Sequence, residues 1–422
     1  MDSTGGGGPS ASGDPPASDD PRAGDDPRAG GDPLAGVRVL DLSGYLAGPF
    51  ATHQLGDLGA DIVKVEAPAG DPARAGVGMR PGDPASPFMA AIHRDRRSVV
   101  LDLKEPAGRS VLFDLARKAD VLVENFRPGI TDRLGVAYED LRQVNDRLVY
   151  CSITGFGPDG PAGQAPAIDG PVQARAGVFE YTAAGDGVGT PMAMTVADIA
   201  GGVGAVQGVL AALFRRERTG RGCHVEITLF ESLLQWTVVA DRPRSLAPPV
   251  TLVGTGSDGR AFVVQTPLHF QDRLLELVAG VPGGVDLRLD DRFATAASRA
   301  EHADDYQEAL GRAFRTRPAA AWLADLQAAG VPAGVVQGIE EALADPQLAH
   351  RSASAWVDLP GLGPTQVLLS PFVFDGHRRT ATVPPPTLGQ HTREVLAEWL
   401  GTDDGHLARL ATDGAFGAFR PA

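Results

Sequence analysis

Cysteine, metal-ligand patterns and long apolar runs are scarce in this chain of 422 residues. Its two cysteines, Cys151 and Cys223, lack metal or redox spacing, and its nine histidines form no HExxH pattern. We therefore expect buried free thiols and no metal. No apolar run reaches the roughly 18 residues that cross a bilayer, and no basic region followed by an apolar one opens the chain. These absences predict a soluble, cytoplasmic protein that does not bind membranes.

Positive charge is scarce as well. The formal net charge of −15 argues against nucleic acid as a partner, because binding the phosphate backbone needs a basic face. Lysine occurs only at Lys64, Lys104 and Lys118, so most cations are arginines, whose forked side chains suit phosphate and carboxylate. Two arginine groups border predicted strands and are either solvated basic faces or a shared site for a pyrophosphate: Arg94, Arg96 and Arg97, and then Arg127 and Arg133.

Short apolar runs alternate with helical patterns along the first half of the chain. With 43% hydrophobic and 22% charged residues, the chain can bury a sizeable core, and we expect two domains. The alternation predicts an α/β fold with a mostly parallel, Rossmann-like sheet covered on both faces. Ligands of such sheets bind beyond the carboxyl ends of the strands. The rim of the expected crevice comprises residues 42–48, 125–128 and 154–157.

Composition and pattern divide the chain into five parts. Residues 1–33 predict a disordered tail, because they offer almost nothing to bury. The N-terminal part of the large α/β domain follows at 34–242, then a linker rich in Pro, Gly and Ser at 243–258, and a smaller α+β domain at 259–348. Residues 349–422 are expected to return to the large domain and end in a helix. The glycines of GGVGAVQG (201–208) lie inside an apolar helical run, which favours close helix packing over nucleotide binding.

Three aspartates could carry chemistry. Asp186 lies between Gly185 and Gly187, which is typical of a tight turn but also of a carboxylate exposed to a large ligand. Such a carboxylate can act as a nucleophile and form an anhydride with an acyl group. Asp198 and Asp169 are most simply residues that cap or open helices, and a functional role is the alternative.

Several segments, taken together, resemble the class III CoA-transferases (the CaiB/BaiF type). This family includes formyl-CoA:oxalate and carnitine CoA-transferases and the related α-methylacyl-CoA racemases. The resemblance extends over about residues 34 to 400, and its segments occur in family order. They are VLDLSGYLAGPFATHQLGDLGADIVKVEAP, HRDRRSVVLDLK, ADVLVENFRPGITDRLG, SITGFGPDGP, the stretch from Asp186 to Asp198, TGRGCHVEITLFES, AAGVPAGVV with EALADPQL, and PPPTLGQHT.

The resemblance implies a large α/β domain, a small domain and an interlocked homodimer. It implies an acyl-CoA:carboxylate CoA-transferase with an aspartate nucleophile, at the position of Asp186, that forms an aspartyl anhydride and then an aspartyl-CoA thioester. Coenzyme A would be a substrate and product rather than a permanently bound cofactor, and the partners would be an acyl-CoA and a carboxylate acceptor. The family's CoA-binding positions correspond to Ala47, Arg96, Arg97, Asn125, Phe126 and Arg133.

This chain departs from the family pattern in ways that leave two alternatives. Gly44 and Leu46 replace polar residues of many members, Ala183 replaces a glycine, and the segment 236–259 is short, with only GTGSDG (254–259) able to stand in for a glycine-rich lid. A CoA-binding subunit without catalytic activity, paired with an active relative, is one alternative. A racemase is the other, but Ile168 stands where racemases have a catalytic histidine.

Overall fold

The computed structural model describes residues 31–75, 87–183, 187–239, 251–359, 363–380 and 382–421. Its largest sheet has six strands, and every neighbouring pair is parallel. The strands, which confirm the predicted parallel sheet of a mixed α/β fold, are β1 (Arg38–Asp41), β2 (Asp61–Glu66), β3 (Arg97–Val100), β4 (Val121–Glu124), β5 (Val149–Thr154) and β6 (Cys223–Thr228). Their order in the sheet is β3-β2-β1-β4-β5-β6, so the direction of winding reverses between β1 and β4. Crevices for ligands form at such a reversal.

Helices cover both faces of this sheet because side chains alternate between the faces along each strand. Val39, Val121 and Val149 contribute to one apolar core, and Leu40, Leu122 and Leu148 to the other. The helices of this part of the chain are α1 (Ala47–Asp57), α2 (Pro87–His93), α3 (Pro106–Ala116), α4 (Ile130–Leu134), α5 (Tyr138–Leu141), α6 (Asp169–Arg175), α7 (Val178–Thr182), α8 (Val196–Thr219) and α9 (Leu229–Val239), with a 3₁₀ helix at Pro72–Ala75.

The longest helix, α8, packs against α1, α9, β5 and β6. Within the described ranges it alone is long and apolar enough to cross a membrane by length and composition. Its glycines are needed for close packing: a Cβ on Gly202 would lie 2.9 Å from the Ala47 carbonyl oxygen, and one on Gly208 would lie 2.7 Å from Val225. The packing interpretation of GGVGAVQG is therefore confirmed, and the contacts on several sides identify α8 as a core helix.

A second, antiparallel sheet is formed by β7 (Thr251–Thr255), β8 (Ala261–Gln265) and β9 (Ala333–Val335) and has its own apolar core. β7 lies within the segment assigned to a linker, because its Gly and Thr residues hid the strand pattern. GTGSDG, considered above as a lid, includes the end of β7 and the turn to β8, and Gly254 packs against Phe314. The helices here are α10 (Leu268–Gly280), α11 (Ala296–Glu301), α12 (Ala303–Phe314), α13 (Ala319–Ala328), α14 (Ile339–Leu343) and α15 (Pro346–His350), with a 3₁₀ helix at Leu287–Leu289.

The end of the chain packs against the parallel sheet. After the antiparallel hairpin of β10 (Ser354–Leu359) and β11 (Gly363–Leu368), α16 (Thr392–Leu400) contacts β3 and α3. The hydroxyl of Thr392 accepts a hydrogen bond from the backbone N–H of Val100 at 3.2 Å, and Trp399 is buried in the core of that face. The final helix is α17 (Asp404–Thr412). Most of the predicted disordered tail, residues 1–30, lies outside the described residues.

Candidate active site

A cavity of about 620 Å³ opens at the carboxyl end of the parallel sheet. The loops that follow β1, β2, β3 and β4 form its walls, so it lies across the point where the direction of winding reverses. This is the location expected for a ligand crevice in an open parallel sheet. Its lining combines apolar side chains such as Leu42, Val65 and Leu101 with a small set of charged and amide groups, as is usual for ligand sites.

The loop after β1 is held in place by side chains from the neighbouring strands. The amide of Asn125, the first residue after β4, accepts a hydrogen bond from the backbone N–H of Gly44 and donates one to its carbonyl, both at 2.8 Å. The buried ammonium group of Lys64 donates to the carbonyl of Ser43 at 2.7 Å and pairs with Asp71 at 2.8 Å. This wall of the cavity is therefore preorganised by the protein before any ligand binds.

Positive charge reaches the cavity from the loops after β3 and β4. Lys104, Arg127 and Arg133 line it, and in the described part of the chain none of their side chains forms an ion pair. The charge of Lys64 is offset by Asp71. Cations that line a cavity suit phosphate groups, because charge-assisted hydrogen bonds to phosphate are strong. Lys104 was absent from the sequence prediction, although it follows β3 as Asn125 follows β4 and could have been found by the same rule.

Three of the predicted CoA-binding residues line the cavity, and three do not. Asn125, Phe126 and Arg133 come from the loop after β4 and the short helix α4 and share one wall. Ala47 is buried at the start of α1, against Gly202 of α8. Arg96 directly precedes β3 and Arg97 begins it, and neither lines the cavity.

The two arginines have structural partners instead. The guanidinium group of Arg96 is buried, pairs with Asp41 at 2.8 Å, and donates to the carbonyl oxygens of Pro49 at 3.1 Å and Ile92 at 2.5 Å. Burial raises the pKa of Asp41, but the charges of Lys64 and Arg96 outweigh it and hold that pKa below its usual value. The next residue, Arg97, pairs with Asp61, Glu394 and Glu398, which joins β3 to α16. Alternation along a strand sends consecutive side chains to opposite faces.

Asp186, the predicted nucleophile, lies outside the described residues, since 184–186 are not among them. Residues on either side of it are described. The backbone N–H of Thr190 donates to the hydroxyl of Thr182 at 2.9 Å, and that hydroxyl donates to the carbonyl of Thr190 at 2.5 Å. The base of the segment that carries Asp186 is therefore closed by hydrogen bonds at the end of α7.

Asp169 and Asp198 meet at the start of α8, after this segment. One carboxylate oxygen of Asp169 accepts hydrogen bonds from the backbone N–H groups of Ala197 at 2.7 Å and Asp198 at 3.3 Å, so Asp169 caps α8 although it begins α6. Asp198 lies in the first turn of α8 and does not cap it. Burial, and then the charge of Asp169, raises the pKa of Asp198 to about 7. The interpretation of Asp198 as a cap was wrong, and its interpretation as a first-turn acid was right.

A second recess of about 440 Å³ lies beside the cavity, and Phe126 and Arg127 line both. Glu124 is buried at its floor and accepts a hydrogen bond from the backbone N–H of Phe126 at 2.8 Å. The Ser152 hydroxyl lies between this carboxyl group and His224, whose Nε2 is 2.8 Å from the hydroxyl oxygen. Burial raises the pKa of Glu124 to about 7. In the described residues no cluster of three His, Cys, Asp or Glu side chains could hold a metal.

The raised pKa of Glu124 predicts a pH-dependent stability. The folded protein binds the proton of Glu124 more tightly than the unfolded chain does. The protonated carboxyl group therefore adds to the free energy of unfolding in full below the usual pKa of 4.5, and this addition is lost as the pH rises through about 7. Glu124→Gln stays neutral at every pH. When the pH is raised from acidic to mildly alkaline, the free energy of unfolding of this variant should therefore increase relative to that of the wild type by on the order of 2 kcal/mol. Urea unfolding at both pH values measures this. Glu139→Gln, at an exposed position, serves as the control. If Glu124→Gln differed from the wild type in free energy of unfolding by the same amount at both pH values, the raised pKa of Glu124 would be contradicted.

The chain is similar to known proteins over most of its length. The model of CoA-transferase family III matches residues 34–392. The acetyl-CoA:oxalate CoA-transferase of Acetobacter aceti is 36% identical over 77% of this chain and 87% of its own length. The succinyl-CoA:glutarate CoA-transferase of Mus musculus is 30% identical over 90% of this chain and 89% of its own length. The crystal structure of Rv3272 from M. tuberculosis has a TM-score of 0.74 and 32% identity over 86% of this chain and 99% of that one. The crystal structure of a CAIB/BAIF family protein from Brucella suis has a TM-score of 0.76 and 30% identity over 87% of this chain and 100% of that one.

The family match begins before β1, includes all the loops that line the cavity, and ends at the first residue of α16. Matches over this length, with identities of 30% or more to several CoA-transferases, exceed what a shared fold alone would produce. The chain belongs to CoA-transferase family III and is an enzyme that transfers CoA.

Proposed function

We propose that this enzyme moves CoA from an acyl-CoA donor to a carboxylic acid acceptor, with Asp186 as the nucleophile. The observation that carries the proposal is the cavity at the reversal point of the sheet, which Lys104, Arg127 and Arg133 line together with the loop held by Asn125. Three cations in one cavity suit the phosphates of CoA. The apolar side chains of the same cavity suit its uncharged arm.

The reaction proceeds through covalent intermediates on Asp186. Its carboxylate attacks the thioester carbonyl of the donor, the C–S bond breaks, and CoA leaves as a thiolate while a mixed anhydride forms. The thiolate then attacks the aspartyl carbonyl, which releases the donor acid and leaves an aspartyl-CoA thioester. The acceptor carboxylate attacks this thioester and displaces the CoA thiolate, which leaves an anhydride between Asp186 and the acceptor. The thiolate then attacks the acceptor's acyl carbon in this anhydride, and the new acyl-CoA and the free carboxylate of Asp186 are released. No proton is gained or lost overall.

Retention of CoA between these steps is the main task of the cavity. The thiolate is needed again after each departure, and a CoA that diffused away would leave a reactive anhydride exposed to water. Phosphates held by Lys104, Arg127 and Arg133 keep the thiolate near the anhydride, which gives it a high effective concentration. Binding energy from the nucleotide end of the substrate is thereby used at the reacting carbon.

A screen of donors against acceptors tests the proposal. Acetyl-CoA, formyl-CoA and succinyl-CoA are incubated with oxalate, glutarate and succinate, because relatives are named for these compounds. Mass spectrometry should detect a new acyl-CoA in at least one pairing, at the expense of the donor. If CoA binds but every pairing fails until a second polypeptide is added, the protein is instead a CoA-binding subunit. Deuterium exchange at the α-carbon of a branched acyl-CoA would favour a racemase, although Ile168 stands where racemases have a catalytic histidine.

The cations of the cavity supply a further prediction. Removing one charge-assisted phosphate contact costs about 1.5–3 kcal/mol, so Lys104→Ala and Arg133→Ala should each weaken CoA binding by about tenfold or more. The loss should shrink at high salt, because counterions screen exposed charges. Titration calorimetry at low and high salt measures both effects. Lys118→Ala makes the same change of charge on an exposed side chain outside the cavity and should leave CoA binding unchanged.

We also propose an interlocked homodimer. Its support is the exposure of large apolar side chains on α8 and α9, where Phe214 is 69%, Trp236 43% and Val238 72% exposed. Large apolar side chains that are exposed in one subunit are often covered at a protein interface. Light scattering in solution should give twice the mass of the 43.9 kDa chain. The mass of a single chain would contradict the proposal.

A further inference from the structure

The short helix α6 carries two polar side chains that face the segment 187–195, through which the chain enters α8. Asp169 begins this helix and Gln173 lies four residues later, so both stand on the same face. Gln173 is completely buried, with 0% of its surface exposed. Burial of an amide is costly unless its hydrogen-bonding atoms find partners. The partners of Gln173 therefore show what this side chain holds in place.

Both ends of the Gln173 amide bind the backbone of this segment. Its Oε1 accepts a hydrogen bond from the backbone N–H of Met192 at 2.8 Å. Its Nε2 donates to the carbonyl oxygens of Met194 at 3.2 Å and Met192 at 3.3 Å, and to one carboxylate oxygen of Asp169 at 2.5 Å. The other carboxylate oxygen of Asp169 caps α8. One amide thus ties the segment to the carboxylate that fixes the start of α8.

Apolar burial contributes little to the position of this segment. In the single chain Val188 is 90% and Met194 64% exposed, and hydrophobic stabilisation scales with the area removed from water. The contacts that fix the path of the backbone are polar. The hydroxyl of Thr182 is bonded to the backbone of Thr190, and the Gln173 amide holds the residues that follow. Loss of this amide would therefore release the backbone between Thr190 and α8.

We propose that Gln173 is a positioning residue for CoA transfer: its amide fixes the segment after Asp186 and thereby sets where that carboxylate meets the thioester carbonyl. This inference rests on the proposed function, because it takes Asp186 as the nucleophile. Met192, which the amide holds from both sides, is the sixth residue after Asp186. A displacement of about 1 Å in the reacting groups can cost about 100-fold in rate. Among the described residues, none from α6 lines the cavity, so the rate of transfer should depend on Gln173 while the affinity for CoA does not.

An exchange of donor and acceptor tests the proposal. Gln173→Met keeps the length of the side chain and removes its hydrogen bonds, Gln173→Glu keeps the acceptor but loses the donor, and Asp169→Asn turns the acceptor that faces this amide into a donor. Each should lower kcat by about 10- to 100-fold, with the CoA affinity measured by calorimetry unchanged. In the double variant Asp169→Asn with Gln173→Glu, the amide and the carboxylate have changed places, so the hydrogen bond between them forms in the reverse direction. Its kcat should exceed that of either single variant by about tenfold.

Gln143→Met is the matched control, because it makes the same change in an exposed side chain whose amide donates to the carbonyl of Glu139. It should keep the wild-type kcat. The number of CoA sites per chain, from the same calorimetry, corrects every kcat for protein that has not folded. Wild-type kcat in Gln173→Met, a loss of CoA affinity equal to the loss of kcat, or no recovery in the double variant would overturn the inference while the wild type still transfers CoA. A wild type that transfers no CoA in any pairing would overturn the proposed function, and the inference with it.

Discussion

Replacing Asp186 with alanine removes CoA transfer, with an expected fall in kcat of at least about 10³-fold. Every step of the proposed reaction forms or breaks a bond to this carboxylate, and alanine offers no substitute. CoA itself should still bind, because the cations that suit its phosphates belong to the loops after β3 and β4. Steady-state kinetics for transfer and calorimetry for CoA binding measure the two effects separately.

Trapping the intermediate makes the assignment specific. Hydroxylamine added during turnover should convert the Asp186 side chain into a hydroxamate, which peptide mass spectrometry locates, and only when the donor acyl-CoA is present. Asp291→Ala, at an exposed position outside the cavity, should retain wild-type transfer. Wild-type transfer by Asp186→Ala would contradict the mechanism, and a hydroxamate on Asp198 would assign the chemistry to the carboxyl at the start of α8 instead.

Loss of the buried guanidinium group in Arg96→Leu should destabilise the protein by about 3–5 kcal/mol. The pair of Arg96 and Asp41 is almost completely buried, so removing one partner leaves an uncompensated charge in the core. The two carbonyl oxygens of Pro49 and Ile92 would also lose their donor. Urea unfolding measures the free-energy change. Arg117→Leu, which breaks an exposed pair with Asp114, should change stability by less than about 0.5 kcal/mol.

Arg96→Leu also decides between two roles for the Arg96 side chain. The family resemblance predicted a contact with CoA, whereas in the structure the side chain pairs with Asp41 and does not line the cavity. A large loss of stability with little change in CoA affinity would support the structural role. Normal stability with weakened CoA binding would restore the predicted contact and contradict our interpretation of the ion pair.

The parallel sheet and the general position of the site could be predicted from local sequence. β1, β2, β4 and β5 are short runs of Val, Ile and Leu between turn signals, and such runs become buried strands wherever they pair. Since parallel strands end at a common edge, the residues after β1 and β4 had to lie together. That is why Asn125, Phe126 and the loop containing Gly44 were correctly assigned to one crevice, whereas residues 154–157, expected on the same rim, do not line it.

Side-chain partners could not be predicted in this way. Arg96 and Arg133 are equally plausible phosphate ligands in the sequence, but Arg96 stands at the amino end of β3 and finds a buried carboxylate, while Arg133 lies beyond the carboxyl end of β4. Likewise Asp169, which begins α6, caps α8 through a contact between residues 28 positions apart. Strand β7 was missed because its Gly and Thr residues resemble a linker until β8 pairs with it.

The sequence by itself therefore determined the family, the transfer of CoA and the parallel α/β sheet, because these depend on motifs and periodicity that are local along the chain. Only the tertiary structure decided which cations face the cavity and which carboxylate caps α8. The physical reason is that a charged or aromatic side chain takes its role from its neighbours in space. Those neighbours are known only when the strands and helices have packed.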